Sequence, residues 1–193
     1  MNRLYPIFVK IEQLDVLLVG GGNVGLEKLN SLLDNSPEIK LTIVADKILP
    51  EVWDKASLSP RIRINERQFE MEDLNGKDLV FLATDNRQLH EQIRIEARKR
   101  KILLNVADTP ELCDFYLGSI VQKGDLKIGI STNGKSPTIA KRLKEFLNDI
   151  IPLNIQESLD QMQQVRNTIK GNFEDKVKAL NQITSGWLQN KED

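Results

Sequence analysis

The sequence contains few of the residue types on which many metal and nucleophilic sites depend. Its 193 residues include one cysteine, Cys113, and one histidine, His90. A single cysteine excludes an intramolecular disulfide and any zinc site with several cysteine ligands. A single histidine excludes a metal centre built on several imidazoles. Proton or metal chemistry in this chain must therefore rest mainly on carboxylates.

Neither sign of charge is in excess, and long apolar runs are missing. The 27 basic and 28 acidic residues give a formal net charge of -1, so no global field favours nucleic acid or an anionic membrane. No apolar run approaches the roughly 18 residues that span a bilayer. The first residues lack the apolar core of a signal peptide. We therefore expect a soluble cytoplasmic protein that meets any polyanionic ligand at a local site.

Short β-rich runs alternate with helical patterns over about the first 108 residues. Apolar residues recur with helical spacing after Gly25 and again over residues 86–100. This alternation predicts an α/β fold with a Rossmann-type doubly wound parallel sheet. The predicted strands cover residues 5–9, 15–19, 41–45, 62–64, 79–83 and 102–106.

The pattern changes after Asp108. Two β-rich runs joined at Lys123-Gly124-Asp125 predict a hairpin. Ser136-Pro137 then begins a predicted helix that Pro152 ends. Two amphipathic helices broken at Gly171-Asn172 follow, and the last residues, QNKED, are predicted to be frayed.

A glycine-rich loop connects the strand 15–19 to the helical pattern that follows it. Residues 20–25, GGGNVG, match G-x-G-x-x-G. In that setting Gly20 permits the tight turn, Gly22 lets the backbone approach a pyrophosphate, and Gly25 lets helix and strand pack closely. The absence of Lys-Ser or Lys-Thr after the loop disfavours a nucleoside-triphosphate P-loop. Taken alone, the loop is also compatible with a sharp turn that binds nothing.

Asp46 supports the dinucleotide interpretation. It ends the second strand of the alternation, twenty-one residues after Gly25. A carboxylate there accepts hydrogen bonds from the adenosine ribose and repels the extra phosphate of NADP, although Lys47 beside it keeps NADP in consideration. The alternative is that Asp46 only solvates a strand end. Loop and carboxylate together predict NAD as the cofactor.

Other polar residues follow the later strands. Thr84 and Asp85 come after residues 79–83, at the edge where doubly wound sheets bind ligands, although residue type favours a helix-capping role for Asp85. Asp108 ends the next strand at the same edge and is a candidate acid or base, with a turn or cap as the alternative. We interpret His90 as a surface residue and Cys113 as a small buried side chain with no base to activate it.

Residues 131–137, STNGKSP, form a second strand-to-helix junction rich in hydroxyl and amide groups. The junction is compatible with a capped turn and equally with a second anion-binding corner.

Several strings together resemble one known family. They occur in order over residues 5–147 and are YPIFVKI, VLLVGGGNVGLEK, LTIVAD, DLVFLATDN, ILLNVAD, CDFYLGSIVQKGDLKIGIST and NGKSPTIAKRLKEFL. They resemble the precorrin-2 dehydrogenase / sirohydrochlorin ferrochelatase family, a module also found at the N-terminus of multifunctional siroheme synthases. The combination is far more specific than the glycine loop alone.

The resemblance implies an activity and a domain plan. The activity is NAD-dependent dehydrogenation of precorrin-2 to sirohydrochlorin, and many members also insert Fe2+ to give siroheme. Whether this chain has that second activity is a question the residues leave open. The implied plan is an NAD-binding Rossmann domain over residues 1–113, a segment that builds a homodimer over 114–150, and a helical C-terminal domain over 151–193.

The resemblance also implies roles for individual residues. By position, cofactor contacts fall on Asn23, Val24, Asp46 and Lys47, and the aspartate that the family uses for dehydrogenation and chelation falls on Asp108. The full predicted site comprises cofactor-binding Gly20, Gly22, Asn23, Val24, Gly25, Asp46, Lys47, Thr84 and Asp85, catalytic Asp108, and substrate-binding Thr132, Lys135 and Ser136.

The sequence departs from the family at three positions. Gly25 stands where alanine is usual, Asn133 where glycine is common, and Gly118 where proline or alanine is common. The last two changes bear on substrate contacts and not on the fold.

Two other classes of protein compete with this interpretation. One is an NAD-binding Rossmann regulatory or sensor domain without catalysis, and the other is a dehydrogenase for a different small substrate. A sensor has no need of the SPTIAKRL string or the C-terminal helices. The enzyme is therefore the favoured hypothesis.

Overall fold

The computed structural model describes residues 2–169 and 172–185, and the chain divides into two compact units. The first unit is Arg3–Leu117, and the second begins at Gly118. Gly171 of the predicted helix break and the predicted frayed end QNKED lie outside the described residues.

A five-stranded parallel sheet forms the centre of the first unit. Its strand order is β3-β2-β1-β4-β5, and each neighbouring pair is parallel. The strands are β1 (Asp15–Gly21), β2 (Lys40–Ile48), β3 (Ile62–Glu66), β4 (Leu79–Leu82) and β5 (Leu103–Val106). The helices are α1 (Asn23–Asn35), α2 (Pro50–Ser57) and α3 (Arg87–Arg100). This architecture confirms the predicted Rossmann-type doubly wound sheet.

Both faces of the sheet are covered, because successive residues of a strand point to opposite sides. One face packs against α1 and α2, and the other packs against α3. The helices therefore change sides between β1 and β4, where the strand order reverses and such sheets bind ligands. The first layer includes Val16, Leu18, Ile43, Phe81, Leu29 and Val52; the second includes Leu17, Val19, Val80, Leu104, Ile93 and Ala97.

Two elements of the first unit differ from the sequence prediction. The predicted strand over residues 5–9 is wrong, because these residues form no strand and Tyr5 and Phe8 are 87% and 73% exposed. An apolar run becomes a strand only where its backbone can hydrogen-bond to a neighbouring strand. Pro6 lacks the backbone N–H that such pairing requires. Helix α2 was not predicted; it begins at Pro50 and buries Val52 and Ala56.

The second unit contains a hairpin followed by helices, as the sequence predicts. Strands β6 (Ser119–Lys123) and β7 (Leu126–Ile130) are antiparallel, and Gly124 in the turn between them has a φ of 58°. The helices are α4 (Pro137–Ile150), α5 (Ile155–Thr168) and α6 (Phe173–Thr184). The ammonium of Lys123 donates to the carbonyls of Asn148 and Ile151 and so ties the hairpin to the end of α4.

The apolar core of the second unit is small. Among its described residues, Val121 and Ala140 are the only buried hydrophobic side chains, whereas the first unit buries more than twenty. Across the described ranges, no helix is long and apolar enough to cross a membrane.

Candidate functional site

The polar residues of the predicted site in the first unit lie at the carboxyl ends of four adjacent strands. Backbone hydrogen bonds set the register there: the N–H of Ala83 donates to Val19 at 2.8 Å, and the N–H of Ala107 donates to Leu82 at 2.9 Å. Strands β1, β4 and β5 therefore end at the same level of the sheet. The residues that follow them are the glycine loop, Thr84 and Asp108, respectively. Since neighbouring strands are about 4.8 Å apart, the loop and the Asp108 turn are roughly 10 Å apart.

The glycine loop fits a bound pyrophosphate. Gly20 has a φ of 119°, and a Cβ on it would overlap the carbonyl group of Ala83. A Cβ on Gly25 would overlap the carbonyl oxygen of Gly20, so helix and strand approach closely there. At Gly22 a Cβ would meet nothing within 4 Å, which leaves open space above the loop.

Helix α1 supplies the polar groups that an anion needs at this loop. Gly22 is its N-cap, and no side chain accepts a hydrogen bond from the first turn. The first N–H groups of a helix have no partners within the helix, and together they carry a partial positive charge. Asn23 and Val24 form that turn and are exposed. The chain's own residues thus match the requirements of a dinucleotide phosphate.

Asp46 and Lys47 lie beside this loop because β2 bulges there. Val19 pairs with Val44, but Gly21 pairs with Ile48, so β2 has extra residues over this stretch. Both Asp46 and Lys47 are exposed. The bulge presents them to solvent next to the strand that leads into the glycine loop.

Beyond β4, the structure corrects two interpretations made from the sequence. Asp85 does not cap α3; Asn86 is the N-cap, and its side chain accepts from the N–H of Leu89 at 3.0 Å. His90 is not a surface residue but is 3% exposed, with its Nε2 2.8 Å from Oγ1 of Thr84. Burial lowers the pKa of His90 despite the opposing negative charge of Asp85.

The burial of His90 has a signal in the sequence. His90, Ile93 and Ala97 are spaced by three and four residues, which places them on one helical face, and all three are buried. Leu89, the apolar neighbour of His90 in the sequence, is only partly buried.

Asp108 occupies a tight turn with an unusual backbone conformation. Its φ is 54°, in the left-handed region that residues other than glycine, asparagine and aspartate rarely adopt. The N–H of Thr109 donates to the carbonyl of Val106 at 3.4 Å and closes the turn. The carboxylate of Asp108 is exposed at the edge of the sheet, where a ligand can reach it.

The segment after this turn is fixed against β5. The thiol of Cys113 donates to the carbonyl of Val106 at 3.3 Å, and its sulfur accepts from the Val106 N–H at 3.2 Å. Burial raises the pKa of Cys113, so the thiol remains protonated near neutral pH and is a poor nucleophile. The amide of Asn105 donates to the carbonyl of Phe115 at 2.8 Å.

Asp114 joins the same segment to both β5 and α3. Its carboxylate accepts from the guanidinium of Arg94 and, at 3.0 Å, from the N–H of Leu104. Burial raises the pKa of Asp114, but these two hydrogen bonds and the positive charges of Arg94 and Arg98 together outweigh it, so the pKa lies below its ordinary value. Arg94 was not singled out from the sequence; it shares the buried face of α3 with His90.

The predicted substrate residues lie in the second unit, at the start of α4. The side chain of Ser136 caps the helix by accepting from the N–H of Ile139 at 3.2 Å. The hydroxyl of Thr132 donates to the carbonyl of Ser136 and accepts from its N–H. Lys135 is exposed. The junction is thus a capped turn, and its role toward a substrate stays a prediction.

Within the described residues, no group of three or more histidine, cysteine, aspartate or glutamate side chains is placed to hold a metal ion.

Two family models match this chain. One is described as putative NAD(P)-binding and covers residues 7–119, and the other is described as sirohaem biosynthesis protein central and covers residues 123–149. The described fold also resembles a solved structure titled SirC, precorrin-2 dehydrogenase, with a TM-score of 0.74 and 21% identity over 97% of this chain and 91% of the other.

Curated relatives agree with the second family model. The siroheme synthase of Pseudoalteromonas atlantica is 34% identical over 89% of this chain and 36% of the relative. The siroheme synthase of Vesicomyosocius okutanii is 34% identical over 99% of this chain and 41% of the relative. This chain therefore spans only about two fifths of the length of these relatives or less.

Proposed function

The chain belongs to the putative NAD(P)-binding family, and from this premise we propose that it is an NAD-dependent dehydrogenase that oxidises precorrin-2 to sirohydrochlorin. The observation that carries the proposal is the shared edge of the sheet. An open glycine loop follows β1 there and the exposed Asp108 follows β5, and only β4 lies between these two strands. The relatives named siroheme synthase and the fold neighbour titled precorrin-2 dehydrogenase support the choice of substrate.

The cofactor in this proposal is NAD, and its phosphates bind the first turn of α1. Asn23 and Val24 contribute backbone N–H groups there, and the absence of a side chain on Gly22 lets the phosphates approach. Asp46 on the bulge of β2 binds the adenosine ribose and disfavours NADP by charge repulsion. Thr84 and Asp85 complete the cofactor side of the site after β4.

Asp108 manages the proton in this proposal. Oxidation of precorrin-2 removes a hydride and a proton, and NAD is the group that accepts the hydride. A carboxylate exposed at the end of β5 accepts the proton without help from a histidine, which suits a chain whose only imidazole is buried. Thr132, Lys135 and Ser136 of the second unit are the proposed contacts to the substrate, with Lys135 facing its carboxylates.

The test is an anaerobic assay with precorrin-2 and NAD that follows the absorbance of sirohydrochlorin. We expect turnover by the wild type and a fall in kcat of about 100-fold or more in Asp108→Asn, because general base catalysis contributes that much. NAD affinity should change less than twofold. Asp34→Asn, an exposed aspartate near the end of α1, serves as the matched control.

NAD binding without turnover would favour the sensor hypothesis over the enzyme. Turnover that Asp108→Asn leaves unchanged would remove Asp108 from the mechanism and retain the activity.

Insertion of Fe2+ into sirohydrochlorin is a second proposed activity. The siroheme synthase names of the relatives favour it, and the family resemblance assigns it to the same aspartate. In this reaction Fe2+ is a substrate, and Asp108 takes pyrrole protons as the ion enters. Siroheme formation from Fe2+ and sirohydrochlorin above the uncatalysed rate, and its loss in Asp108→Asn, is the expected result.

We also propose that the second unit builds a homodimer. Among its described residues, a two-stranded sheet and two buried apolar side chains are too little for an independent core. One face of α4 carries a stripe of apolar residues that are each 44–58% exposed, namely Ile139, Leu143, Phe146 and Ile150. A second copy offers the same stripe, so a two-fold interface buries both.

The cytoplasm is the proposed location. A chain with one cysteine holds no internal disulfide, as is usual in reducing compartments.

A further inference from the structure

His90 is a buried polar side chain for which the proposed reaction has no use. It lies one turn inside α3, and its backbone N–H donates to the carbonyl of Asn86 at 3.1 Å. The side chain of Asn86 caps the same turn, so the start of the helix is firmly placed. The ring is 3% exposed, and its Nε2 has one protein partner, the hydroxyl of Thr84 at 2.8 Å.

Thr84 connects this histidine to the glycine loop. Its Cγ2 lies 3.3 Å from the position that a Cβ on Gly20 would occupy, so the methyl packs directly on the loop. The preceding residue, Ala83, is hydrogen-bonded to Val19 of β1 at 2.8 Å. The backbone of Thr84 is therefore held beside β1. The remaining conformational freedom of this residue is rotation about its χ1 angle.

Two contacts of the Thr84 side chain, one with Gly20 and one with His90, select a single χ1 rotamer. Threonine has three staggered positions about χ1, and in only one of them can the methyl face Gly20 while the hydroxyl faces His90. Without the imidazole, the hydroxyl has no buried partner on this side. A rotated Thr84 would move its methyl away from Gly20 or place another group against the loop. The hydrogen bond from His90 of α3 thus affects the conformation of the glycine loop through the side chain of Thr84.

We propose that His90 is a positioning residue for dinucleotide binding: by its hydrogen bond to Thr84 it holds the threonine methyl against Gly20 and so fixes the conformation of the glycine loop. This inference rests on the proposed function, since it assigns the loop to the dinucleotide. His90 itself does not touch the cofactor. The hydroxyl of Thr84 keeps further hydrogen-bonding capacity, because a hydroxyl has one donor and two acceptor positions.

The test is a double-mutant cycle on the Kd for NAD, measured by isothermal titration calorimetry with NAD alone. His90→Leu and Thr84→Val each remove the hydrogen bond and nearly preserve volume. Because one such bond contributes about 1 kcal/mol, each variant should weaken binding roughly five- to tenfold. Because Thr84 also lies on the cofactor side of the proposed site, the double variant should bind no more weakly than Thr84→Val alone.

His90→Gln separates positioning from simple packing. Its side-chain amide reaches about as far as Nε2 and can bond the Thr84 hydroxyl, so we expect the Kd for NAD to return to within about twofold of wild type. In the Thr84→Val background the same substitution should restore nothing. Thermal unfolding of every variant shows whether affinity changes merely follow stability.

Failure of the inference and failure of the proposed function give different results. If the wild type binds NAD and the two substitutions weaken binding additively, or if His90→Gln binds no better than His90→Leu, the positioning role is wrong and the dehydrogenase proposal stands. If the cycle shows coupling but precorrin-2 is not oxidised, the positioning role of His90 stands and the dehydrogenase proposal is wrong. A wild type that does not bind NAD overturns both.

Discussion

At the scale of single residues, glycines of one loop differ in what surrounds them. Gly20 has a φ of 119° and no space for a side chain, because Ala83 and Thr84, which follow β4, lie against it. Gly22 has an ordinary φ of -84° and open space where a Cβ would point. The G-x-G-x-x-G pattern predicts both glycines without distinguishing them. The contacts assign Gly20 to folding and leave Gly22 free for a ligand.

Gly22→Ala should weaken NAD binding at least tenfold and leave folding almost intact. The new methyl enters the open space above the loop, where the phosphates would approach, but it meets no protein atom. Replacing glycine by alanine at an N-cap costs less than about 1 kcal/mol. Calorimetric titration with NAD and urea unfolding measure the two effects separately.

Gly20→Ala is the matched control for this prediction. Strain at positive φ and overlap with Ala83 should lower its free energy of unfolding by about 3 kcal/mol. Equal NAD affinity in Gly22→Ala and wild type would contradict the assignment of the loop to the cofactor.

Individual residues also show where reading the sequence succeeds and fails. Asp46, Thr84 and Asp108 could be placed at one sheet edge because parallel strands end at the same level. The burial of His90 was missed because a polar ring at a helical position was assumed to face water. The left-handed conformation of Asp108 has only a weak sequence signal, its residue type, and the hydrogen bond that closes the turn is seen only in the structure.

At the scale of elements, the ion pair of Arg94 and Asp114 joins α3 to the segment after β5. It is mostly shielded from solvent, with side chains that are 10% and 26% exposed. Patterns of apolar residues predict the strands and α3, but they carry no information about this pair, whose members are twenty residues apart. Residues 5–9 show the same limit, because their β-rich composition does not supply the neighbouring strand that they would need.

Asp114→Asn should destabilise the protein at neutral pH and less so in acid. Removing a charge from a largely shielded pair should cost about 2 kcal/mol of unfolding free energy. Because folding lowers the pKa of Asp114, its contribution is fully present above the ordinary aspartate pKa and is lost as the pH falls from that value through the lower pKa of the folded state. Urea unfolding between neutral and acidic pH should show the wild-type and variant curves converging.

Glu111→Gln is the control for this pH dependence. Glu111 pairs with Arg87 at 3.1 Å, and both side chains are more than half exposed, so its loss should leave both stability and its pH profile nearly unchanged. Parallel curves for wild type and Asp114→Asn across the whole pH range would show that the ion pair does not stabilise the fold.

At the scale of the whole molecule, the two units differ in how completely they bury their apolar side chains. The parallel sheet of the first unit has packed layers on both faces, whereas the second unit exposes the apolar stripe of α4. Apart from residues 5–9 and α2, the sequence predicts the main elements of both units. The sequence does not predict which unit buries its apolar side chains more completely. The amphipathic pattern of a helix is the same whether its apolar face packs against this chain or against another copy.

Phe146→Glu should convert the proposed homodimer to a monomer. The substitution places a charge in the middle of the apolar stripe, where a second copy would bring the same charge against it. Sedimentation velocity at micromolar concentration measures the change. Lys144→Glu changes the charge of an exposed residue outside the stripe and should leave the dimer intact. A wild-type monomer, or a Phe146→Glu dimer, would contradict the proposal.

The hydrogen bonds of Asp114 have a consequence for how the molecule avoids aggregation. An open sheet has two edges, and unpaired backbone groups on an edge can recruit strands of other molecules. At the β5 edge, the N–H of Leu104 donates to the Asp114 carboxylate and its carbonyl accepts from the Asp114 N–H at 2.7 Å. At the other edge, β3 carries the charged side chains Arg63 and Glu66. Both edges of the parallel sheet thus discourage strand addition, and the proposed homodimer through the exposed apolar face of α4 depends on neither of them.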